Sequence, residues 1–306
     1  GTYWIRFGAV ALALGTAVII FLAMLRERPT EQAQVLFFSL SAFTLFIGTT
    51  GAVLLLGHSI GYHRKMIHGS FDCPIWLERV LIWFGALVGM AGPQGIIRSH
   101  DCRDWAQRQP ACHPYFDHRT HPLRDAWWQI YCRIELEYPP SFDFRRVGHD
   151  CFYLWLGKDW RWQQLPVALI LFALGGWSWV VWGICARVAV ANHGHWLVGH
   201  LAHTQGPQSW TVDGAGVQAH DVPWAAIPTM GEAWHNNHHA YPGSARIGLK
   251  PGQSDWGYAI IRLLERRGLA WNVQTPTTLG LRAELSEAPK KLRHLEQGQT
   301  RRAKQA

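Results

Sequence analysis

Long apolar runs restrict the fold of this chain more than any other feature of its sequence. About 20 apolar residues are enough for a helix to cross the hydrocarbon core of a membrane. Residues 3–25 are apolar apart from Arg6, and residues 35–57 contain no charged side chain. The first run is also too long for a cleavable signal peptide. The sequence therefore predicts two membrane-spanning helices that form a hairpin.

Two further apolar runs predict a second hairpin. They cover about residues 163–177 and 179–200, and they meet near the Gly175-Gly176 pair, which permits a very tight turn. Arg187 lies inside the later run. A charged side chain within a membrane span is costly unless it has a polar environment, so we expect Arg187 to face protein or a polar cavity.

The segment between the hairpins leaves two interpretations open. Residues 74–97 are mostly apolar but contain Glu78 and Arg79. Central charges cost several kcal/mol in a span, which favours a helix at the membrane interface or packed on the first hairpin over a further span.

Charge and composition support a membrane protein. The net charge of +8 fits either nucleic acid or an anionic membrane face, and the apolar runs favour the membrane. Many of the 18 tryptophans lie beside those runs, as is typical of the water–lipid boundary. Lys and Arg concentrate in the polar segments, which we therefore place in the cytoplasm, and we expect no nucleic-acid partner.

These patterns together predict an all-α integral membrane protein with about four transmembrane helices in two hairpins. Residues 1–280 form a single domain, in which 58–160 and 201–280 build a cytoplasmic helical cap. We expect residues 281–306 to form a charged, loosely ordered tail.

Histidine clusters occur where the apolar runs end, and the strongest contains His235, His238 and His239. Positions i, i+3 and i+4 share one face of a helix, so three imidazoles would converge on one metal. The alternative is an exposed histidine run, which is disfavoured because such density beside a membrane segment is rare by chance.

Another pair, His63 and His68, follows the second apolar run directly. A spacing of five does not share one face of an α-helix, so a helix end or kink is needed to aim both at one metal. We interpret His58, five residues earlier, as a packing residue or one that orients a ligand.

The last apolar run ends in His200 and His203, which share a helical face. We expect at least one of them to bind metal and favour His203; the alternative is a histidine that caps the helix or bonds a neighbour.

A fourth candidate pair, His100 and Asp104, stands at i and i+4. A carboxylate can replace imidazole at iron, but a salt-bridged helix with one buried histidine is equally compatible. Three histidines of a Pro-rich loop are expected at the surface or against a substrate headgroup: His113, His118 and His121.

These spacings resemble the membrane fatty-acid desaturases, and within them the stearoyl-CoA desaturase type. The family pattern is HxxxxH, HxxHH and HxxHH, with one more histidine after the last span. The first and third boxes match, as does the Trp196-Leu-Val segment that precedes His203. Two departures stand out: the second box has Arg103 and Asp104 in place of two histidines, and Gly199 replaces an asparagine.

The resemblance implies a di-metal site in the cap, at the cytoplasmic face of a multi-pass membrane protein. It implies two Fe ions, O2 as co-substrate, and an external electron donor such as ferredoxin, rubredoxin or cytochrome b5. The substrate would be an acyl-CoA or an acyl-lipid, which acquires a cis double bond. The implied metal ligands are His63, His68, His100, Asp104, His203, His235, His238 and His239. Possible additional ligands or orienting residues are His200, His58, Asn236, Glu232 and Asp101.

Two other functions fit parts of the pattern. A lipid hydroxylase or acetylenase would use the same iron scaffold. A non-catalytic membrane metal-binding or transport protein would place polar groups along a pathway through the spans, whereas here the histidines lie at the span ends.

Overall fold

The computed structural model describes residues 2–5, 14–20, 22, 39–144, 147–280 and 282–288. Within these residues the backbone is mostly helical, as predicted, with two short two-stranded sheets. The α-helices with defined bounds are α1 (Leu40–Ala52), α2 (Ile75–Leu87), α3 (Pro93–Arg108), α4 (Pro114–Asp117), α5 (Pro122–Tyr131), α6 (Cys151–Asp159), α7 (Gln164–Val180), α8 (Arg187–Thr204), α9 (His235–Ala240) and α10 (Trp256–Arg266). Besides the helical residues 14–20, the described chain has two π-helices (Val53–Ile67 and Val181–Ala186) and two 3₁₀ turns (Trp160–Gln163 and Pro223–Ala225).

Two continuous helices in the described residues are long and apolar enough to cross a membrane. Leu40–Ile67, with 28 residues, joins α1 to the first π-helix, and Cys151–Thr204, with 54 residues, runs from α6 to α8. The first helix extends ten residues beyond the predicted end of the second span at Gly57, so it contains His63 and ends directly before His68.

The predicted span over residues 3–25 lies largely outside the described residues. Residues 14–20 are helical, but β1 (Thr2–Ile5) is a strand that pairs antiparallel with β2 (Cys132–Glu135). The structure therefore differs from the prediction at the start of this run, where strand pairing replaces the expected helix.

The longer of the two helices folds back on itself at Gly176. This residue has φ 64° and ψ −160°, a conformation that is essentially restricted to glycine. Two contacts join the helix arms before and after this turn. Arg187 Nη2 donates to Gln164 Oε1 at 2.5 Å, and the Leu171 side chain lies against Gly183. The two arms therefore pack antiparallel, as the glycine pair predicts. Arg187 is 1% exposed and faces protein, as expected.

Helix α2 packs tightly on the first π-helix. A Cβ atom at Gly57 would lie 2.4 Å from the Phe84 carbonyl group, and one at Gly61 would lie 2.5 Å from the Leu81 oxygen. The charges of α2 are paired: the carboxylate of Glu78 lies 3.1 Å from Lys65 Nζ, and Arg79 lies 3.0 Å from Asp150. This fits the predicted helix packed on the hairpin.

A core of buried aromatic and aliphatic side chains joins the first π-helix to α2, α3 and α6. It includes Tyr62, Ile82, Ile96, Tyr153 and Leu156. This core fixes the position of the π-helix relative to α3, and the two carry the first and second histidine boxes.

Residues 282–288 pack against the segment around β3 and the end of α9. Strand β4 (Leu285–Glu287) pairs antiparallel with β3 (Trp210–Val212), and Arg282 donates to the carbonyl oxygens of His239 and Ala240. Residues 282–288 thus differ from the loosely ordered tail expected over residues 281–306, because they supply hydrogen bonds to the end of α9; the rest of that predicted tail lies outside the described residues.

Candidate metal centre

The π-helix explains the spacing of the first histidine pair. The backbone N–H of His68 donates to the carbonyl oxygen of His63 at 3.1 Å, an i to i+5 bond. In this winding, residues five apart share one face. The two rings lie 4.8 Å apart, so a five-residue gap aims both at one point.

Four histidines from three elements form the first cluster. One ring nitrogen from each lies within 4.8 Å of the others, and the members are His63, His68, His100 and His238. They come from the π-helix and its end, from α3 and from α9. His63 Nε2 lies 3.2 Å from His238 Nε2, and His68 Nε2 is buried without a hydrogen-bond partner in the described chain.

Glu232 orients the first cluster. Its carboxylate lies 2.5 Å from His63 Nδ1 and 3.0 Å from the buried guanidinium of Arg64, and it accepts from Ser59 Oγ at 2.5 Å. Burial alone would raise the pKa of Glu232, but His63 and Arg64 hold it well below its usual range. An ionised carboxylate on Nδ1–H leaves Nε2 as a lone-pair donor towards the cluster.

The second cluster contains His203, His235 and His239, again with ring nitrogens within 4.8 Å. The Nε2 atom of His235 lies 3.2 Å from that of His203 and 3.0 Å from that of His239. His203 Nδ1 donates to the Gly199 carbonyl oxygen at 2.8 Å, which directs its Nε2 inward. The third box is therefore divided: His238 joins the first cluster, and its other two histidines join the second.

The donor sets of both clusters fit metal ions. Burial lowers the pKa of His235 and His238 well below the ordinary value and that of His239 to about 4, so these rings are neutral at pH 7. Neutral imidazole is the form that binds metal, and it suits iron among others. Nε2 atoms that lie 3.0–3.2 Å apart need a proton or a cation between them, and one metal ion would serve all the rings of a cluster at once.

The second box contributes one histidine, His100, to the first cluster. Asp101 Oδ1 lies 3.2 Å from His100 Nδ1, the contact expected of an orienting carboxylate. Asp104 Oδ2 lies 3.9 Å from His100 Nδ1, and within the described residues Asp104 belongs to neither cluster. Its role as a ligand stays a prediction. Arg103 lines the cavity beside the clusters.

Two other predicted residues lie near the clusters without joining them. The His58 ring is 6.3 Å from that of His63 and 5.0 Å from that of His195. Asn236 accepts from the backbone N–H groups of Ser209 and Trp210, so it anchors a loop next to α9 and does not contact an imidazole through these bonds.

A third group was not predicted from the sequence. It contains His118, Asp125 and His200, with Asp125 Oδ2 3.0 Å from His118 Nδ1 and 2.9 Å from His200 Nδ1. His118 is 2% exposed, so the expectation of a surface position is wrong for this residue. A histidine seven residues from an aspartate carries no recognisable spacing, and only the fold brings them together.

Both clusters open onto one large cavity of about 1510 Å³. Its wall includes His63, His100, His235, His238 and His239. Much of the remaining wall is apolar or aromatic, for example Ile47, Leu54, Phe142 and Trp160. The arrangement places metal-binding groups beside a space suited to an apolar molecule.

Comparison with known proteins identifies the family. No protein-family model matches the chain. An sn-2 palmitoyl-lipid 9-desaturase of Nostoc sp. (strain 36) is 33% identical over 244 residues, which cover 78% of this chain and 83% of that protein. An sn-1 stearoyl-lipid 9-desaturase of Anabaena variabilis is 34% identical over 224 residues, which cover 72% and 79%. A delta-9 acyl-lipid desaturase of Arabidopsis thaliana is 31% identical over 233 residues, which cover 72% and 71%. The chain therefore belongs to the fatty acid desaturase family and is an oxidoreductase that acts on fatty acyl chains.

Proposed function

We propose that this protein uses O2 and two iron ions to insert a cis double bond into a saturated acyl chain of a membrane lipid. The observation that carries the proposal is the pair of imidazole clusters in the wall of one apolar cavity. A substrate in that cavity would lie beside both clusters.

The two clusters define the proposed ligand sets. One iron would be held by His63, His68, His100 and His238, and the other by His203, His235 and His239. The iron pair would supply oxidation of unactivated C–H bonds by O2, which no protein side chain can perform.

The overall reaction balances without a further reactant. The acyl chain loses one hydrogen atom from each of two neighbouring carbons, and a double bond forms between them. An external donor supplies two electrons and solvent supplies two protons, so O2 is reduced to two molecules of water. The donor would be a separate protein such as ferredoxin, rubredoxin or cytochrome b5, and the net charge of +8 suits an acidic one.

The protein's own part is to hold the substrate and exclude water. Ile47 and Leu54 line the cavity from the first long helix, and Trp160 and Phe142 line it from the cap. Three arginines also line the cavity and would suit a phosphate-bearing headgroup: Arg98, Arg133 and Arg161.

A membrane location supports a lipid substrate. Large apolar side chains are exposed on α1 and α7, with Leu40 80% and Leu174 69% exposed. Exposed apolar surface of this kind fits contact with lipid. We propose two membrane hairpins with the clusters at the cytoplasmic face, where Lys and Arg concentrate.

The names of the relatives favour an acyl-lipid over an acyl-CoA substrate and position 9 for the double bond. To test this, the iron-loaded protein is reconstituted in dipalmitoylphosphatidylcholine vesicles with reduced ferredoxin and O2. We expect a 9-hexadecenoyl chain by mass spectrometry of the released fatty acids. A parallel reaction with palmitoyl-CoA, in vesicles of an ether-linked lipid without acyl chains, should be slower.

Product identity decides between the related chemistries. A hydroxylated chain without an alkene would replace desaturation by lipid hydroxylation on the same scaffold, and a triple bond would indicate an acetylenase. A protein that binds zinc and takes up no iron would overturn oxygen chemistry altogether.

A further inference from the structure

The two imidazole clusters are unequal. The first has four histidines and the second has three. In the family pattern that the sequence resembles, positions 103 and 104 hold histidines, but this chain has Arg103 and Asp104. A guanidinium stays protonated and has no lone pair to offer a metal, so Arg103 cannot replace a histidine ligand. The second cluster therefore has one imidazole fewer than the first.

We infer that His118 is the missing imidazole ligand of the second cluster, and that Asp125 is the positioning residue that holds its ring. The inference rests on the proposed di-iron function, and it adds a ligand from a loop outside the three histidine boxes.

The first support is the burial of an unpartnered nitrogen. His118 is 2% exposed, and its Nε2 atom has no hydrogen-bond partner in the part of the chain that the structure describes. Buried polar atoms are nearly always bonded, and an unpaired one calls for an explanation such as a bound ion. His68 Nε2 in the first cluster is likewise buried without a hydrogen-bond partner in the described residues.

The second support is the carboxylate behind the ring. Asp125 is fully buried, lies 3.0 Å from His118 Nδ1, and accepts from Trp196 Nε1 at 2.8 Å. A carboxylate on Nδ1–H fixes the ring and leaves Nε2 as a lone-pair donor. Glu232 holds His63 in the same way in the first cluster.

The third support is the position of the ring. The centroid of His118 lies 5.2 Å from that of His203, and the ring planes differ by 14°. Rings within the second cluster are 4.5 Å apart for His235 and His239 and 5.5 Å apart for His203 and His239. The His118 ring therefore borders the second cluster at His203, and it also lines the cavity.

A separate ion between His118, Asp125 and His200 is the competing arrangement, because their ligand atoms lie within 4.8 Å. However, the Nδ1 atoms of both histidines already contact Asp125 Oδ2. A third ion would have to displace both contacts, whereas His118 Nε2 is available without any change.

The test counts iron in the full-length protein after loading with ferrous iron and gel filtration. The variants are His118→Ala, His118→Gln and His200→Ala, and the control is His121→Ala, an exposed histidine of the same loop. We expect two irons per chain in the wild type, in the control and in His200→Ala, and one iron in both His118 variants. The iron that remains in the first cluster shows that those variants are folded. Imidazole added to His118→Gly should restore the second iron.

Two irons in both His118 variants, with an unchanged Mössbauer spectrum, would overturn the inference and leave the proposed function standing. A third metal equivalent lost equally from His118→Ala and His200→Ala would also overturn it, in favour of the separate ion. A wild-type protein that holds no iron would overturn the proposed function and the inference together.

Discussion

The Glu232 carboxylate contacts both His63 of the first cluster and the buried guanidinium of Arg64. The substitution Glu232→Gln tests whether this carboxylate orients His63 for metal binding. The side chain lies 2.5 Å from His63 Nδ1 and 3.0 Å from Arg64 Nη2. Glutamine keeps the shape but loses the charge, and its amide nitrogen cannot accept a hydrogen bond. Loss of such an outer partner typically lowers metal affinity about 10–100-fold. We therefore expect weaker iron binding by about 1.4–2.7 kcal/mol.

The same substitution should leave the protein folded. Arg64 is 1% exposed, but it keeps a second ion pair with Asp255 at 2.8 Å. The free energy of unfolding should therefore fall by less than the roughly 3–5 kcal/mol expected when a buried charge loses its only partner.

The assay is iron affinity by competition with a chelator, together with thermal unfolding of the metal-free protein in detergent. Glu265→Gln is the matched control, because Glu265 pairs with Arg262 at the surface. A surface pair contributes below about 1 kcal/mol, so the control should bind iron as the wild type does. Iron affinity in Glu232→Gln within about twofold of the wild type would refute the orienting role, since the expected loss is at least about tenfold.

Further predictions concern packing, the second box and pH. Gly61→Ala should destabilise the protein by about 1–3 kcal/mol in thermal unfolding, because its Cβ would meet the Leu81 oxygen at 2.5 Å, whereas Gly48→Ala has open space and should not. Asp104→Ala should lower iron content if Asp104 is a ligand, and unchanged iron would remove it from the ligand set. Burial lowers the pKa of His239 to about 4, below the value near 6.5 of an unfolded chain. The unfolded state then binds more protons, so the unfolding free energy of the metal-free protein should fall as pH decreases from about 6.5 towards 4 in denaturant titrations.

Residue spacing predicted much of the fold and of the site. Apolar runs indicated long helices, and the Gly175-Gly176 pair indicated the hairpin turn, because glycine alone adopts the Gly176 conformation at low cost. The third box predicted converging imidazoles. It did not predict that His238 would serve one cluster and His235 the other, since that division depends on the helices packed on either side of α9.

The π-helix Val53–Ile67 was the feature that the sequence predicted least well. Spacing rules assume an α-helix, in which residues five apart diverge, so His63 and His68 required a helix end or a kink. The structure has a π-helix here, and α2 packs closely against it at Gly57 and Gly61. The geometry of the first box therefore depends on a helix winding that the spacing rules do not consider.

Loop residues were misjudged for a related reason. His118 follows a short helix in a Pro-rich segment, which is typical of a surface loop. Its backbone has φ 59°, uncommon for a residue other than glycine, and its side chain turns inward to Asp125. Neither the conformation nor the distant carboxylate has a local sequence signal.

Most carboxylates around the clusters share one arrangement: they contact imidazole Nδ1 and do not converge with the Nε2 atoms. Glu232, Asp101 and Asp125 lie 2.5, 3.2 and 3.0 Å from such nitrogens. This arrangement orients the imidazoles and raises their basicity. Because the carboxylates do not bind directly, a metal would be surrounded by neutral donors and would keep more of its positive charge than with carboxylate ligands. Asp104 Oδ2 lies 3.9 Å from His100 Nδ1, so Asp104 is the candidate with freedom to bind metal directly. A direct carboxylate ligand would stabilise the oxidised iron, and we therefore expect Asp104→Asn to raise the reduction potential of the site. An unchanged potential would show that Asp104 does not bind the metal.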